Sequence, residues 1–432
     1  MQRDITDRFV AWKERPQRKP ILLYGARQVG KSYALSEFGT THFEHVAAFD
    51  LERQAAARSA FEGDLDADVI LERLSQVIGW RIVPEDTLII LDEIQASNRA
   101  LASLKYLAEA LPHGYVAAAG SLLGVAVSRD GFSAPVGSVE PMTMRPLSFP
   151  EFLRATGNEL MVAGIRDAFE SGAPYALHER ALELLRSYML VGGMPEAVST
   201  YLDEGIDAAR NVQGFIHDLY IADMAKYAAP LETARIREAW ASIPSQLAKE
   251  NHKFQYKTVR SGGRASRYES ALDWLETAGL VNRCVQITSG HVPLALHENR
   301  AAFKIYQADT GLLAYSMGLS PQLVFDEQAR RHADLGAVTE NYVAQELVLA
   351  GYTPRYWVSQ GTAEVDFVIE SQAGEAVPVE VKSSENVRSR ILGVYCGKYE
   401  PSRALRLSPK NFGYDGVVHS VPLYAAFCLQ GL

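Results

Sequence analysis

Cysteine is scarce in this sequence, with only Cys284, Cys396 and Cys428 among 432 residues. The three lie far apart, so they offer neither the spacing of a zinc site nor the dense pattern of a disulfide-stapled domain. Few cysteines suit a reducing compartment, and we therefore expect a cytoplasmic protein.

Long apolar runs are also missing. No stretch reaches the roughly 20 apolar residues that cross a bilayer. The first residues are polar and do not resemble a signal peptide. We therefore expect no membrane association.

An excess of positive charge is absent as well. The 43 Lys and Arg residues stand against 52 Asp and Glu residues, which gives a formal net charge of −9. Such a chain is not coated for nonspecific nucleic-acid binding, so any contact of that kind needs a local basic patch. Internal repeats are missing too, while 47% hydrophobic and 22% charged residues are typical of a globular protein.

What is present near the N-terminus is a complete phosphate-loop pattern, G-x-x-x-x-G-K-S. The apolar run Ile21–Tyr24 before it predicts a buried parallel strand, and apolar residues at helical spacing follow it. Glycines let the backbone curl until successive N–H groups face an anion, and the start of the helix adds its positive end. The predicted loop consists of Gly25, Ala26, Arg27, Gln28, Val29, Gly30, Lys31 and Ser32.

This loop predicts binding of ATP with Mg²⁺. Lys31 is expected to reach the β- and γ-phosphates, and the hydroxyl of Ser32 is expected to sit on the metal. The alternative is a glycine-rich turn that matches by chance, which would leave the flanking strand and helix unexplained.

A second apolar run, residues 87–91, predicts a strand that ends in two carboxylates, Asp92 and Glu93. A carboxylate at the end of a strand can hold the water shell of Mg²⁺, and the next one can polarise the attacking water. We predict Asp92 as the metal residue and Glu93 as the catalytic base; the alternative is a solvated turn. Alternating strands and helices up to about residue 150 predict a parallel sheet covered on both faces.

Several short motifs further along occur together. They are Gly120-Ser121-Leu122-Leu123-Gly124, Pro135-Val136-Gly137, Pro146-Leu147-Ser148-Phe149-Pro150-Glu151-Phe152-Leu153, Gly192-Gly193-Met194-Pro195-Glu196 and Asp309-Thr310-Gly311-Leu312-Leu313. In combination they resemble the bacterial and archaeal AAA-like ATPases that carry a C-terminal domain of uncharacterised function.

The resemblance implies further site residues. In AAA-type ATPases a polar residue at the position of Ser121 senses the γ-phosphate; the alternative is a plain serine between strand and loop. Many such enzymes complete the site from a neighbouring subunit, so a homo-oligomer is one expectation. Relatives often have a basic residue where this chain has Ser138, which leaves Arg129 and Arg145 as the candidates for an arginine finger.

Helical spacing then predicts a lid or linker from about residue 176 to 229, broken at Gly192-Gly193, with Phe215, Leu219 and Met224 on one apolar stripe. The next region, with helical segments followed by two short strands, predicts a winged helix. Between its helical segments lie positive residues with Tyr256 and Tyr268 interleaved. The positive residues are Lys249, Lys253, Lys257, Arg260, Arg264 and Arg267.

A winged helix with a basic recognition segment reads duplex DNA by its geometry. We therefore predict DNA contacts along this segment. The alternative is a solvated charged face on a protein-docking module. The predicted contact residues are Lys253, Lys257, Arg260, Arg264 and Arg267.

The C-terminal region carries a second chemical pattern. Residues 361–369 alternate like a half-buried strand, and a turn leads to a strand that carries Glu380 and Lys382 on one face. A hairpin would place Asp366 beside them. The predicted helix over residues 336–350 puts Glu340 on its apolar stripe, where a carboxylate needs a partner or a metal.

This set resembles the PD-(D/E)xK nuclease fold. The resemblance implies Mg²⁺ or Mn²⁺ at Asp366 and Glu380, with Glu340 and Lys382 completing a site for phosphodiester hydrolysis. The alternative is a hairpin with scattered charges. Glu346, on the same helix as Glu340, is expected to be exposed.

The sequence thus predicts a multidomain α/β protein. It comprises an AAA-like P-loop ATPase domain (residues 1–160), a helical lid (161–232), a winged helix (233–318) and a PD-(D/E)xK nuclease-like domain (319–432). The leading hypothesis is an ATPase whose nucleotide state gates access of DNA to the nuclease-like site. Two alternatives remain: an ATP-switched DNA-binding regulator with an inactive nuclease fold, and an ATPase that acts on a protein partner, as STAND-type switches do.

Overall fold

The computed structural model describes residues 1–121, 137–249, 253–332, 335–359, 363–384 and 391–432. The chain divides into two compact units. The N-terminal unit comprises residues 2–145 and 277–279, and the C-terminal unit comprises residue 1, residues 146–276 and residues 280–432. Within the described ranges, no helix is both long enough and apolar enough to cross a membrane.

A five-stranded parallel sheet forms the centre of the N-terminal unit, in the order β2-β3-β4-β1-β5. Its strands are β1 Ile21–Tyr24, β2 His45–Asp50, β3 Thr87–Asp92, β4 Tyr115–Ala119 and β5 Glu140–Thr143. Its helices are Ile5–Lys13, Lys31–His42, Ala55–Ser59, Ala67–Ile78 and Asn98–Ala110, with a 3₁₀ segment at Ile94–Ala96. The parallel sheet is thereby confirmed, and the two apolar runs predicted as strands, residues 21–24 and 87–91, agree with β1 and β3 to within one residue.

The order of the strands positions the site. Strands β3, β4 and β1 are neighbours and are almost wholly buried, as expected for a parallel sheet covered on both faces. Because all strands run in the same direction, their carboxyl ends meet at one edge, where ligands bind in open α/β sheets. The phosphate loop, the carboxylate pair and Ser121 follow three adjacent strands at that edge.

The C-terminal unit contains many helices and two mixed sheets. One sheet has the order β7-β6-β8-β9, from β6 Val281–Ile287, β7 Glu298–Gln307, β8 Arg355–Val358 and β9 Glu364–Val365. The other has the order β10-β11-β12-β14-β13, from β10 Phe367–Glu370, β11 Ala376–Val381, β12 Ala404–Ser408, β13 Gly413–Asp415 and β14 Val418–Pro422.

The helices of this unit fall between and around the strands. They are Phe149–Ala155, Glu159–Ser171, His178–Val191, Pro195–Glu204, Ile206–Tyr227, Pro230–Leu247, Tyr256–Val259, Ala265–Thr277, Thr310–Ser316, Pro321–Phe325, Glu327–His332, Gly336–Leu349 and Ile391–Tyr399, with 3₁₀ segments at Leu294–His297 and Leu423–Gly431. The predicted helical region is confirmed, and its break falls between Val191 and Pro195 as expected.

Residues 230–307 run helix, helix, helix, strand, strand, which is the element order of the predicted winged helix. However, β6 pairs with β7 on one side and with β8 on the other, so the hairpin belongs to a sheet that extends past residue 318. The winged helix and the four domain boundaries therefore remain predictions.

Three expectations about side chains and strands were wrong. Phe215 is 68% exposed, because the buried stripe of its helix runs through Ile216, Tyr220 and Met224 instead. Glu346 is buried, and its Oε1 accepts a hydrogen bond from the backbone N–H of Phe149 at 3.0 Å. The single strand predicted over 361–369 is two short strands, β9 and β10, in different sheets, with Asp366 between them; residues 361 and 362 lie outside the described residues.

Gly193 lies where two backbone segments touch. Its carbonyl accepts the N–H of Leu147 at 2.6 Å, and its own N–H donates to Asp309 Oδ2 at 2.6 Å. A Cβ added at Gly193 would lie 2.1 Å from the carbonyl oxygen of Leu147. Only glycine fits at this contact.

Gly193→Ala is therefore expected to lower the free energy of unfolding by about 2–3 kcal/mol, since the backbones must separate to admit a methyl group. Urea unfolding followed by circular dichroism measures the change. Gly397→Ala is the matched control, because its Cβ would meet no atom within 4 Å and the residue lies in a helix. Equal midpoints for Gly193→Ala and the wild type would refute the packing argument.

Candidate functional site

The loop between β1 and the helix Lys31–His42 has the curled backbone that phosphate binding requires. Gly25, Gln28 and Gly30 have φ angles of 151°, 70° and 90°. A Cβ at Gly25 would lie 2.2 Å from the carbonyl oxygen of Met144, so a side chain is excluded there. Because the N-cap residue is Gly30, no capping side chain covers the first N–H groups of the helix. Those groups can therefore face an anion.

Lys31 is held inside this loop. Its Nζ donates to the carbonyl oxygens of Gly25 and Ala26, each at 2.8 Å, and to Ser121 Oγ at 3.3 Å. Burial lowers the pKa of Lys31 to about 8, while the carboxylates of Glu93 and Asp92 act in the opposite direction. The ammonium is thus still charged at neutral pH, and it lies at the centre of the curled backbone.

The two carboxylates at the end of β3 differ in their surroundings. Burial raises the pKa of the Asp92 carboxyl, and a hydrogen bond from the Ser32 hydroxyl opposes that rise. Glu93 has a left-handed backbone, with φ 49° and ψ 46°, which a non-glycine residue adopts at a cost and which is common at active sites. Ser32 and Asp92, the predicted Mg²⁺ pair, are therefore adjacent.

Ser121 joins the lysine to the catalytic-base candidate. Its hydroxyl lies 3.3 Å from Lys31 Nζ and donates to Glu93 Oε1 at 3.4 Å. The serine is buried. The structure thus brings the predicted sensor into the same cluster as Lys31 and Glu93, and its sensing role remains a prediction.

Three residues at this site were missed by sequence reasoning. Gln95 Nε2 donates to Glu93 Oε2, which fixes the orientation of that carboxylate. Arg3 donates to the carbonyl oxygen of Val29 at 2.9 Å and so braces the loop from behind. Asp50, at the end of β2, pairs in register with Asp92. A carboxylate at the carboxyl end of a strand identified Asp92, and the same pattern at β2 would have identified Asp50. No pattern in the sequence points to Arg3 or Gln95.

The arginine-finger candidates gain no support. Arg145 is partly buried, and burial lowers its pKa; its role as a finger stays a prediction. Arg129 lies outside the described residues, as does most of the stretch between Ser121 and Ser138.

The predicted DNA-binding residues are all solvent-exposed. Arg260 forms an ion pair with Glu238 at 3.1 Å, and Arg267 lies over the ring of Tyr268. We call residues 253–267 the basic segment. Its predicted contact residues are Lys253, Lys257, Arg260, Arg264 and Arg267.

The hydroxyls of the two tyrosines interleaved with these charges are both hydrogen-bonded to carboxylates of the protein. Tyr268 is fully buried and its hydroxyl donates to Glu238, while Tyr256 donates to Glu269 and packs on Phe254. The ring of Tyr268 belongs to the core beneath the basic segment and offers no stacking surface for a nucleobase, whereas Tyr256 is partly buried.

The four predicted C-terminal residues converge. Asp366 precedes β10, whose pairing with β11 places it next to Glu380, and its Oδ2 accepts the N–H of Val381 at 2.7 Å. Lys382 Nζ lies 3.2 Å from Glu380 Oε1. Burial, reinforced by the charge of Glu340, raises the pKa of Asp366 to about 7.

Two cationic side chains that the sequence reasoning missed form ion pairs with acids of this cluster. Lys304 is fully buried, and its Nζ lies 2.8 Å from Glu340 Oε1 and 2.7 Å from Glu364 Oε1. Arg406 Nε lies 3.2 Å from Glu380 Oε2. The sequence carries one signal for Lys304: a lysine flanked by apolar residues in β7 needs a buried counter-charge.

These ion pairs leave the predicted nuclease-site metal without support. Within the described ranges, no group of three or more His, Cys, Asp or Glu side chains is arranged to hold a metal ion. The physical reason is that the oxygens of Glu340 and Glu380 already bind protein cations. At the ATP site the chain offers one hydroxyl and one carboxylate, which suits Mg²⁺ because that ion takes its remaining ligands from phosphate and water.

Three parts of the chain match known protein-family models. Residues 17–153 match an AAA domain, residues 182–323 a domain of unknown function (DUF8612), and residues 335–425 a domain of unknown function (DUF4143). The first match coincides with the phosphate loop and the parallel sheet. The chain therefore contains an AAA-like P-loop ATPase domain.

Solved structures resemble the chain only distantly. A Walker-type ATPase of Pyrococcus abyssi is 14% identical, with 73% of this chain and 95% of that chain covered at a TM-score of 0.44. The ORC2 protein of Aeropyrum pernix is 12% identical, with 76% of this chain and 92% of that chain covered at a TM-score of 0.35. The ORC1 protein of Aeropyrum pernix, solved in complex with DNA, is 12% identical, with 73% of this chain and 91% of that chain covered at a TM-score of 0.29. No curated protein matches this chain.

Proposed function

We propose that the chain binds ATP with Mg²⁺ at residues 25–32, hydrolyses it, and uses the nucleotide state to govern contact with DNA. The observation that carries the ATPase part is the connected cluster behind the phosphate loop. There Ser121 links Lys31 to Glu93, and Ser32 lies against Asp92. Release of phosphate from ATP by the purified protein in the presence of Mg²⁺ tests it.

Each residue of the cluster has a role that follows from its position. Lys31 neutralises charge on the β- and γ-phosphates, and the loop N–H groups orient them. Ser32 and Asp92 would hold Mg²⁺, which supplies charge compensation between the phosphates. Glu93 orients the attacking water and accepts its proton, and Gln95 keeps the Glu93 carboxylate aimed. Ser121 reports the presence of the γ-phosphate.

The DNA part of the proposal rests on the exposed charges of the basic segment. A surface of this kind binds duplex DNA mainly through phosphates, so its affinity depends on salt. Lys257 and Arg264 are exposed and suit a test, because neither belongs to the ion pairs described above.

The double variant Lys257→Ala/Arg264→Ala is expected to bind duplex DNA roughly tenfold more weakly than the wild type. The slope of the logarithm of the binding constant against the logarithm of the salt concentration should be smaller in magnitude by about two. Fluorescence anisotropy at several salt concentrations measures both quantities. Lys105→Ala/Lys410→Ala removes the same charge from exposed positions elsewhere and is the control. Failure of the wild type to bind DNA would favour the alternative, an ATPase that acts on a protein partner.

For the C-terminal cluster we propose a non-cleaving role, which was the alternative to nuclease activity. The specific observation is that Lys304 and Arg406 pair with the acids that a metal would need. A fold alone does not fix activity. The chain is therefore proposed to act as an ATP-switched DNA-binding regulator.

A further inference from the structure

Lys304 is a charged residue in the middle of an apolar strand. Its neighbours in β7, Phe303 and Ile305, are buried, and Lys304 itself has no exposed surface. Its ammonium reaches Glu340, on the helix Gly336–Leu349, and Glu364, on strand β9. One amine thus ties together a strand, a helix and the start of the predicted nuclease hairpin.

A buried ammonium is costly unless carboxylates surround it. Here the charge of Asp366 acts on Lys304 together with those of Glu340 and Glu364. Tyr306 also donates its hydroxyl to Glu340, so that carboxylate has two donors in the interior. The ammonium is therefore the cation on which these oxygens converge.

Convergent carboxylate oxygens around one buried cation are also the arrangement that Mg²⁺ and Mn²⁺ require. A divalent ion and an ammonium cannot share such a centre, because two positive charges repel strongly in a medium of low dielectric constant. Glu380, the other predicted metal ligand, is paired with Lys382 and Arg406.

We propose that Lys304 takes the place of a divalent cation in the C-terminal acid cluster. With Lys304 present, Glu340, Glu364 and Asp366 are not arranged to hold a metal; once its charge is removed, the three carboxylates close on a Mn²⁺ ion. This inference rests on the non-cleaving role proposed above and gives its cause. The chain supplies its own cation, so the cluster binds strand β7 to the hairpin without a metal.

The test compares Mn²⁺ binding by the full-length wild type and Lys304→Met, in the absence of nucleotide, by electron paramagnetic resonance. Lys304→Met is expected to bind one more Mn²⁺ per chain than the wild type. Saturating Mn²⁺ should also raise its melting temperature by roughly 5 °C more than that of the wild type, because only the variant gains a ligand for its folded state.

Two further variants sharpen the comparison. Lys304→Met/Asp366→Asn should lose the additional ion, and Lys410→Met, at an exposed lysine, should behave as the wild type. No additional Mn²⁺ in Lys304→Met, or a wild type that already binds an ion dependent on Asp366, would overturn the inference.

Loss of a buried charge can prevent folding, so a second route is needed. If Lys304→Met is insoluble, refolding with Mn²⁺ is expected to recover it, whereas Lys304→Met/Glu340→Gln should fold without metal. Failure of Mn²⁺ to recover the single variant while the double variant folds would refute the inference. Plasmid cleavage by the wild type with Mn²⁺ would instead contradict the proposed function, whatever the binding result.

Discussion

Lys31→Ala is expected to lower the rate of ATP hydrolysis by about a hundredfold or more. The ammonium lies within 2.8 Å of two carbonyl oxygens of the phosphate loop, so it is positioned before the nucleotide arrives. Preorganised charge in a buried site contributes more than the same charge in water. Removing it leaves the β- and γ-phosphates without their fixed counter-charge. Phosphate release measured with a coupled assay gives the change.

Lys105→Ala is the matched control for this variant, since Lys105 is an exposed lysine on a helix of the same unit. It should hydrolyse ATP at the wild-type rate. Circular dichroism spectra of both variants establish that each is folded. Hydrolysis by Lys31→Ala at the wild-type rate would remove the phosphate loop from the account.

Glu93→Gln is expected to lower kcat by roughly 10²–10⁴-fold, which is the usual contribution of a general base. The amide keeps the shape of the side chain and one of the two oxygens that accept from Gln95 and Ser121, but it cannot accept a proton from water. KM should change little, because Glu93 does not hold the phosphates. The expected separation of kcat from KM is what distinguishes loss of a base from loss of binding.

The control for Glu93→Gln is Glu109→Gln, at an exposed glutamate on the same helix as Lys105. It should leave both kinetic parameters unchanged. A Glu93→Gln protein that turns over ATP at the wild-type rate would show that another group activates the water. In that case Asp92, the adjacent carboxylate, would be the next residue to test.

The ATP site could be predicted in detail because its signals are local in sequence. Residues 25–32 are consecutive, and both glycines that the motif requires, Gly25 and Gly30, have positive φ angles. The acid pair follows an apolar strand directly, so Asp92 and Glu93 needed no knowledge of the tertiary structure beyond a parallel sheet. Arg3 escaped detection because its partner, Val29, lies 26 residues away.

The C-terminal cluster was predicted only in part, for the same reason. Strand alternation and a hairpin were enough to bring Asp366, Glu380 and Lys382 together. Lys304 lies 36 residues before Glu340 and belongs to a strand of another sheet, so no local pattern connects it to them. Without Lys304, the local pattern predicts acids that are available to a metal.

The central claim is that the curled loop of residues 25–32 binds the triphosphate of ATP. Isothermal titration of ATP with Mg²⁺ into the wild type, Lys31→Ala and Glu93→Gln tests it directly. The account predicts one saturable site in the wild type, a comparable affinity in Glu93→Gln, and loss of measurable binding in Lys31→Ala. Equal affinities in the wild type and Lys31→Ala, or no binding by the wild type, would contradict it.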